Sequence, residues 1–227
     1  MSQTLSVTQP AVRSCLVLSN TDWQTYSRLL RVFEGRPGVC LTYDRGELEI
    51  MSPLMEHDDD GRLLGVMVFV LTEELGLPLK HGGSTTLRRK LKHRGIEADE
   101  CFWIANAHRM AGKRRLDLRT DPPPDLAIEV DVTHSSLNRF AIYATLGVPE
   151  VWRVDGNCMS FYVLGMGRTY ATAAVSPTFP LVTPADLIGF LQQGRQAGDE
   201  NVCCGNSAPG FANGSPPLAR RPILEAM

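Results

Sequence analysis

The chain has 227 residues, 43% hydrophobic and 21% charged, enough to bury one sizeable core and too little to require two. Its formal net charge of -2 excludes a strongly basic polymer binder, so any contact with a polyanion has to come from local patches. No apolar run approaches the roughly 20 residues of a membrane span, no basic cluster leads into an apolar leader, and the six cysteines form no CxxC pair or zinc-type spacing, so a reduced, cytoplasmic protein without membrane association is expected.

Residues 1–20 carry little pattern and are set apart as an N-terminal segment. Thr21 and Asp22 are good N-cap types ahead of the periodic Trp23, Tyr26, Leu29, Leu30 and Phe33, which predicts a first helix ended by Gly35-Arg-Pro-Gly38. VCLTYD at 39–44 and ELEIM at 47–51 flank the turn Asp44-Arg45-Gly46 and read as a hairpin. Ser52-Pro53 opens a long helix from about Leu54 to Leu75, whose early aspartates suit the positive end of its dipole. Leu64, Val68, Leu71 and Leu75 mark its apolar face. His57, seven residues before Leu64, falls on the same line, as a core-edge histidine or as a site residue.

The basic stretch STTLRRKLKHRG comes next, then ADECFWIAN at 98–106, then a polar loop carrying Lys113, Arg114 and Arg115. PPPDLAIEVDVT supplies a strand over 125–132 with Asp125, Ala127, Glu129 and Asp131 on one face, because strand side chains alternate. A helix is expected over 134–146, closed by Gly147, with Arg139 and Tyr143 one turn apart. EVWRVD, CMSFYVL and a segment around RTYATAAV read as three strands, and a last helix runs from Pro184 to Gln193. One domain therefore covers 21–193, and residues 194–227, rich in Gly, Ser, Pro and Asn, read as a disordered tail.

Carboxylates inside apolar strands need a partner. Asp99, Glu129 and Asp131 brought close together would repel, and a hard cation offsets that repulsion; oxygen ligands without cysteine or clustered histidine select Mg²⁺ or Mn²⁺. Such an ion polarises a phosphoryl oxygen and activates water, which is the chemistry of phosphodiester hydrolysis. Glu129 fits equally as the structural partner of Arg139 or of a backbone N–H. Glu47 and Glu49 share one face of ELEIM, as a further ligand source or as an exposed strand face. Arg88, Arg89, Lys90 and Lys92 suit a phosphate backbone, and suit a solvated hairpin turn as well.

Taken in order, GELEIMSP followed by His57, ADECFWI, PDLAIEVD, the Arg139 to Tyr143 helix and GVPEVWRVD resemble the Uma family of predicted restriction endonucleases in the PD-(D/E)XK superfamily. The resemblance runs from about residue 20 to 191. It implies an α/β fold, a restriction-endonuclease-like mixed β-sheet core flanked by helices, with motif acids at Asp99 and Glu129 and a further acid from Glu47, Glu49 or the helix bearing His57. It also implies nucleic acid as the partner, DNA foremost, and leaves a homodimer open. Two positions depart from the superfamily pattern: Ala98 stands where proline is usual, and Asp131 stands where a lysine is expected. In relatives the basic residue looks able to migrate to the following helix, where this chain has Arg139, a side chain that stays protonated and is a poor general base. Two readings follow: a Mg²⁺-dependent endonuclease using Asp99, Glu129, Asp131 or Glu49 and Arg139, or a catalytically degenerate nuclease fold that binds nucleic acid or a protein.

Overall fold

The computed structural model describes residues 15–36, 38–52, 55–131 and 135–197, the side chains of 55–58, 131, 196 and 197 excepted. The elements in chain order are β1 (Cys15–Leu18), α1 (Trp23–Phe33), β2 (Cys40–Asp44), β3 (Glu47–Met51), α2 (Met55–Glu74), β4 (Lys80–His81), β5 (Thr86–Arg89), a 3-10 turn at Lys90–Lys92, β6 (Arg94–Glu97) and β7 (Glu100–Trp103). They continue with α3 (Ala107–Met110), β8 (Leu126–Asp131), α4 (Arg139–Leu146), β9 (Glu150–Asp155), β10 (Cys158–Leu164), β11 (Tyr170–Ala173) and α5 (Pro184–Ala197).

Two sheets result. The first runs β1-β3-β2-β6-β5 and the second β11-β10-β9-β8-β7-β4. Within the second, β8 and β9 are parallel, with Glu129 opposite Arg153, and every other pairing is antiparallel. The parallel pair requires a crossover, and α4 supplies it.

The core has three parts. α2 and α5 cover one face of the six-stranded sheet, with Leu64, Val68 and Leu191 against Phe102, Ile128, Trp152 and Phe161. On the opposite face α4 packs Ile142, Tyr143 and Leu146 against Ala127, Cys101 and Val151. α1 closes the five-stranded sheet through Tyr26, Leu41, Tyr43 and Leu48. Its start is the expected one, because the Asp22 carboxylate accepts the Thr25 N–H at 2.6 Å.

Several sequence expectations are corrected. Leu75 is exposed, because it lies one residue past the end of α2 rather than on its buried face. The helix expected from 134 begins at Arg139, where the Asn138 side chain accepts the Ala141 N–H at 3.0 Å and caps it. α5 continues to Ala197, four residues beyond the expected end; the rest of the tail expected from 194, and residues 1–14, lie outside the described residues. β1 falls in the segment that showed no pattern, and its four residues are all exposed, so no alternation betrays it. The two-residue β4 and four-residue α3 are too short for periodicity to reveal. Among the described residues no helix is long and apolar enough to cross a membrane.

Gly95 in β6 lies beneath the buried Tyr26 ring, which stacks on Tyr43 at 4.8 Å. A Cβ at residue 95 would come within 2.7 Å of Tyr26 Cζ and closer still to its hydroxyl. Gly95→Ala is therefore expected to cost about 1–3 kcal/mol of stability, read from the urea unfolding midpoint, because the ring is hemmed in by the rest of the α1 core. An unchanged midpoint would mean that the ring has room to move.

Candidate nucleic-acid cleft and carboxylate site

The chain leaves the five-stranded sheet at Glu97, passes Ala98 and Asp99, and enters the six-stranded sheet at Glu100. Asp99 thus stands at the junction of the two sheets, in a bend ahead of β7. β7 is the antiparallel neighbour of β8, and the Asp99 carboxylate accepts the Val130 N–H at 2.7 Å. The two motif acids are therefore carried by neighbouring segments. Asp99 Cβ lies beside Gly61 of α2 and Glu129 is held from α4, while the charge of Asp99 acts on Arg139 and Tyr143 as well.

Glu129 is buried and held from α4. Arg139 Nε donates to one carboxylate oxygen at 2.6 Å and Nη2 to the other at 2.9 Å, and the Tyr143 hydroxyl donates to the second oxygen too. The remaining donors of Arg139 reach the first sheet, Nη1 to Thr42 Oγ1 at 3.1 Å and Nη2 to the Glu97 carbonyl at 3.0 Å. Burial alone would lower the pKa of this guanidinium, but the charge of Glu129 overrides it and holds Arg139 well above its ordinary value. Burial, reinforced by Glu129, likewise lifts the Tyr143 phenol well above its ordinary range. Arg139 is thus a permanent cation and Tyr143 a permanent donor.

The other expected site residues are dispersed. Glu49, fully buried, accepts from Ser135 Oγ at 2.8 Å and from Ser136 N and Oγ at 2.9 and 3.0 Å, so it ties β3 to the segment ahead of α4. His57 lies in α2 and Asp131 ends β8, but the side chains of both are outside the described residues. Glu97, not singled out from the sequence, accepts from Leu41 N at 3.0 Å and Thr86 Oγ1 at 2.8 Å, and burial raises its pKa against those hydrogen bonds.

Asp99, Glu97 and Glu100 open onto a cleft of about 1150 Å³. Its walls also carry Arg31, Arg36, Arg62, Arg88, Arg114 and Arg115. Arg62 pairs with Asp59, whereas among the described residues none of the other five forms an ion pair. Of the four residues expected to meet nucleic acid, Arg88 lines this cleft. Arg89 is half-buried, while Lys90 and Lys92 are exposed on the turn between β5 and β6. The arginines from the end of α1 and the following loop could not be foreseen, because nothing local distinguishes them from solvated surface charges.

A family model described as "Uma2: Putative restriction endonuclease" matches residues 23–192. The chain belongs to the Uma2 family. No curated protein matches it. Among solved structures, a crystal structure described as a "putative nuclease" from Anabaena variabilis is similar over 66% of this chain and 89% of its own, at 14% identity and a TM-score of 0.44.

The cofactor expected from the resemblance, Mg²⁺, demands near-octahedral oxygen coordination at about 2.0–2.1 Å. Asp99, an oxygen donor on the cleft, fits such an ion. Glu129 as held in this Uma2 member does not, since both of its oxygens are engaged and the positive charge that would neutralise it is supplied by Arg139. Among the described residues no group of three or more His, Cys, Asp or Glu stands close enough to hold a metal ion.

Removing one member of a buried pair strands the other charge, whereas replacing both with apolar groups is often nearly neutral. Arg139→Met and Glu129→Met are each expected to lose about 3–5 kcal/mol, and the double variant much less than their sum. Urea unfolding of the four proteins measures this coupling, and additive losses would show that the two side chains do not act as a unit.

Proposed function

We propose that this Uma2 family member is an endonuclease that hydrolyses phosphodiester bonds of nucleic acid, DNA foremost, held in the arginine-lined cleft. One observation carries the reading: five arginines without an acidic partner among the described residues surround a cleft onto which Asp99 opens. Phosphate contacts dominate affinity for nucleic acid, and guanidinium groups engage phosphate oxygens in two-pronged hydrogen bonds. In a protein of net charge -2, so local a concentration of unpaired cations selects a polyanion by position. Arg88, Arg114 and Arg115 would grip the backbone, and Asp99 would be the carboxylate set against the scissile phosphate. Mg²⁺ or Mn²⁺ belongs to the proposal as cofactor, with Asp99 as its point of entry and Arg139 as its competitor for Glu129. So do a cytoplasmic location, consistent with the free Cys15, Cys40, Cys101 and Cys158, and a homodimer able to cut both strands.

A second reading is favoured by the clasp on Glu129: the chain keeps the cleft, binds nucleic acid and does not cut it. A lysine at residue 139 would hold Glu129 through a single point charge, whereas arginine grips both oxygens. Plasmid and oligonucleotide substrates incubated with the purified chain in Mg²⁺ or Mn²⁺ separate the two readings. The endonuclease reading expects nicking in the parent chain, a loss of about 100-fold or more in Asp99→Ala, and retained binding by gel shift, a magnitude typical of losing a transition-state contact of roughly 2.7–4 kcal/mol. The binding-only reading expects gel shifts without nicking, and nicking that emerges in Arg139→Lys. No gel shift with any nucleic acid would end both.

A further inference from the structure

We infer that the turn between β5 and β6 is a wedge for duplex DNA, with Leu91 inserted between base pairs and Lys90 and Lys92 gripping the flanking phosphates. The inference rests on the nucleic-acid reading of the cleft and specifies what that cleft takes: a double strand that is bent as it is bound.

Leu91 is 82% exposed at the tip of the hairpin, between two exposed lysines. Gly, Asn, Asp and Ser dominate such tips because they supply the turn's backbone conformations or local hydrogen bonds. Here the chain places Lys-Leu-Lys on a 3-10 turn and leaves the left-handed position to His93, at φ 47° and ψ 45°. An apolar group flanked by two lysines suits DNA, whose phosphates meet the cations and whose base stack accepts the apolar group. Architectural DNA-binding proteins insert leucine, isoleucine or phenylalanine between base steps in this way and kink the duplex by roughly 20–90°.

A wedge has to be stiff, and this tip is braced. His93 N–H donates to the Lys90 carbonyl at 2.9 Å, and Arg45 N–H donates to the His93 carbonyl at 2.9 Å. The His93 ring meets Trp23 edge-on at 6.2 Å. One residue further on, Arg94 donates to Asp44 at 2.8 Å and to the Ala141 carbonyl at 2.7 Å, anchoring the hairpin to β2 and α4.

The wedge also lies at the right reach. Arg88, on the same strand, lines the cleft, and Leu91 follows it by three residues, so their Cα atoms are at most about 10 Å apart. Base pairs stack about every 3.4 Å, which places the opened step within roughly three base pairs of the phosphate that Arg88 holds.

The test uses the full chain and a 20-base-pair duplex with 2-aminopurine at successive positions, in EDTA to prevent cleavage; binding is read by anisotropy and unstacking by 2-aminopurine fluorescence. A second duplex with a fluorophore at each end reads bending by energy transfer. The parent chain is expected to raise 2-aminopurine emission at one or two adjacent steps and to raise transfer efficiency. Leu91→Ala should keep its affinity within about tenfold but lose both signals. Lys90→Ala combined with Lys92→Ala should weaken binding and reduce the slope of log K against log salt by about two, one for each lost phosphate contact. Duplex binding by the parent with no fluorescence change, or signals that persist in Leu91→Ala, would overturn the wedge and leave the nucleic-acid reading intact. Absence of duplex binding would overturn both. Loss in Leu91→Ala of binding to phosphatidylserine vesicles, with the DNA signals unmoved, would reassign the tip to a membrane surface and overturn the wedge.

Discussion

The buried guanidinium of Arg139 is the interaction on which the rest of the molecule depends. A permanent charge taken out of water has to find a counter-charge and spend its donors well. Arg139 does so across four elements: Glu129 on β8, Thr42 on β2, the carbonyl at the end of β6, and its own helix α4. Two of these belong to one sheet and one to the other, so a single side chain bolts the sheets together beside the bend that carries Asp99. The position of Asp99 is in this sense a consequence of the pair, since the Glu97 carbonyl that Arg139 binds lies two residues before it.

Elsewhere too, buried and half-buried acids of this fold work as staples. Glu150 accepts from Trp152 Nε1 at 2.7 Å, Ser176 Oγ at 2.7 Å and Thr178 N at 3.1 Å, which pins the segment after β11 onto β9. Asp125 accepts from Ile104 N at 2.7 Å and Asn106 N at 2.9 Å and fixes the exit of β7. Each carboxylate satisfies backbone or side-chain donors that would otherwise be stranded where the chain leaves a strand. The functional question is thus one of access: Asp99 meets solvent in the cleft, whereas Glu129, Glu49 and Glu150 are enclosed among their donors.

Charge is distributed to match. Total charge is nearly balanced, yet the arginines around the cleft come from α1 and its following loop, α2, β5 and the loop after α3, elements far apart in the chain. Four acids, Glu34, Glu97, Asp99 and Glu100, line the same cleft against six arginines, so positive charge exceeds negative there although the chain as a whole is slightly negative. Membership of the Uma2 family and this surface point to the same class of ligand on independent grounds: one from sequence over residues 23–192, the other from the electrostatics of the folded chain.

Most of the elements could be read directly from the sequence, because their signals are local. The N-cap at Asp22, the hairpin turn at Asp44-Arg45-Gly46, the apolar repeat of α2 and the Gly147 stop each depend on a few neighbouring residues, and each element stands within a few residues of its expected place. The order of motifs also identified the family. The pairing of β8 with β7, the use of α4 as a crossover and the edge strand β1 depended on contacts distant in sequence. The same holds for the site. Sequence pointed to Asp99, Glu129 and Arg139 as a set, and it left open whether Arg139 would serve a phosphate or Glu129, since both need the same cation. Only folding decided that, by enclosing Arg139 and Glu129 together away from water, where a lone charge of either sign is far more costly than a pair.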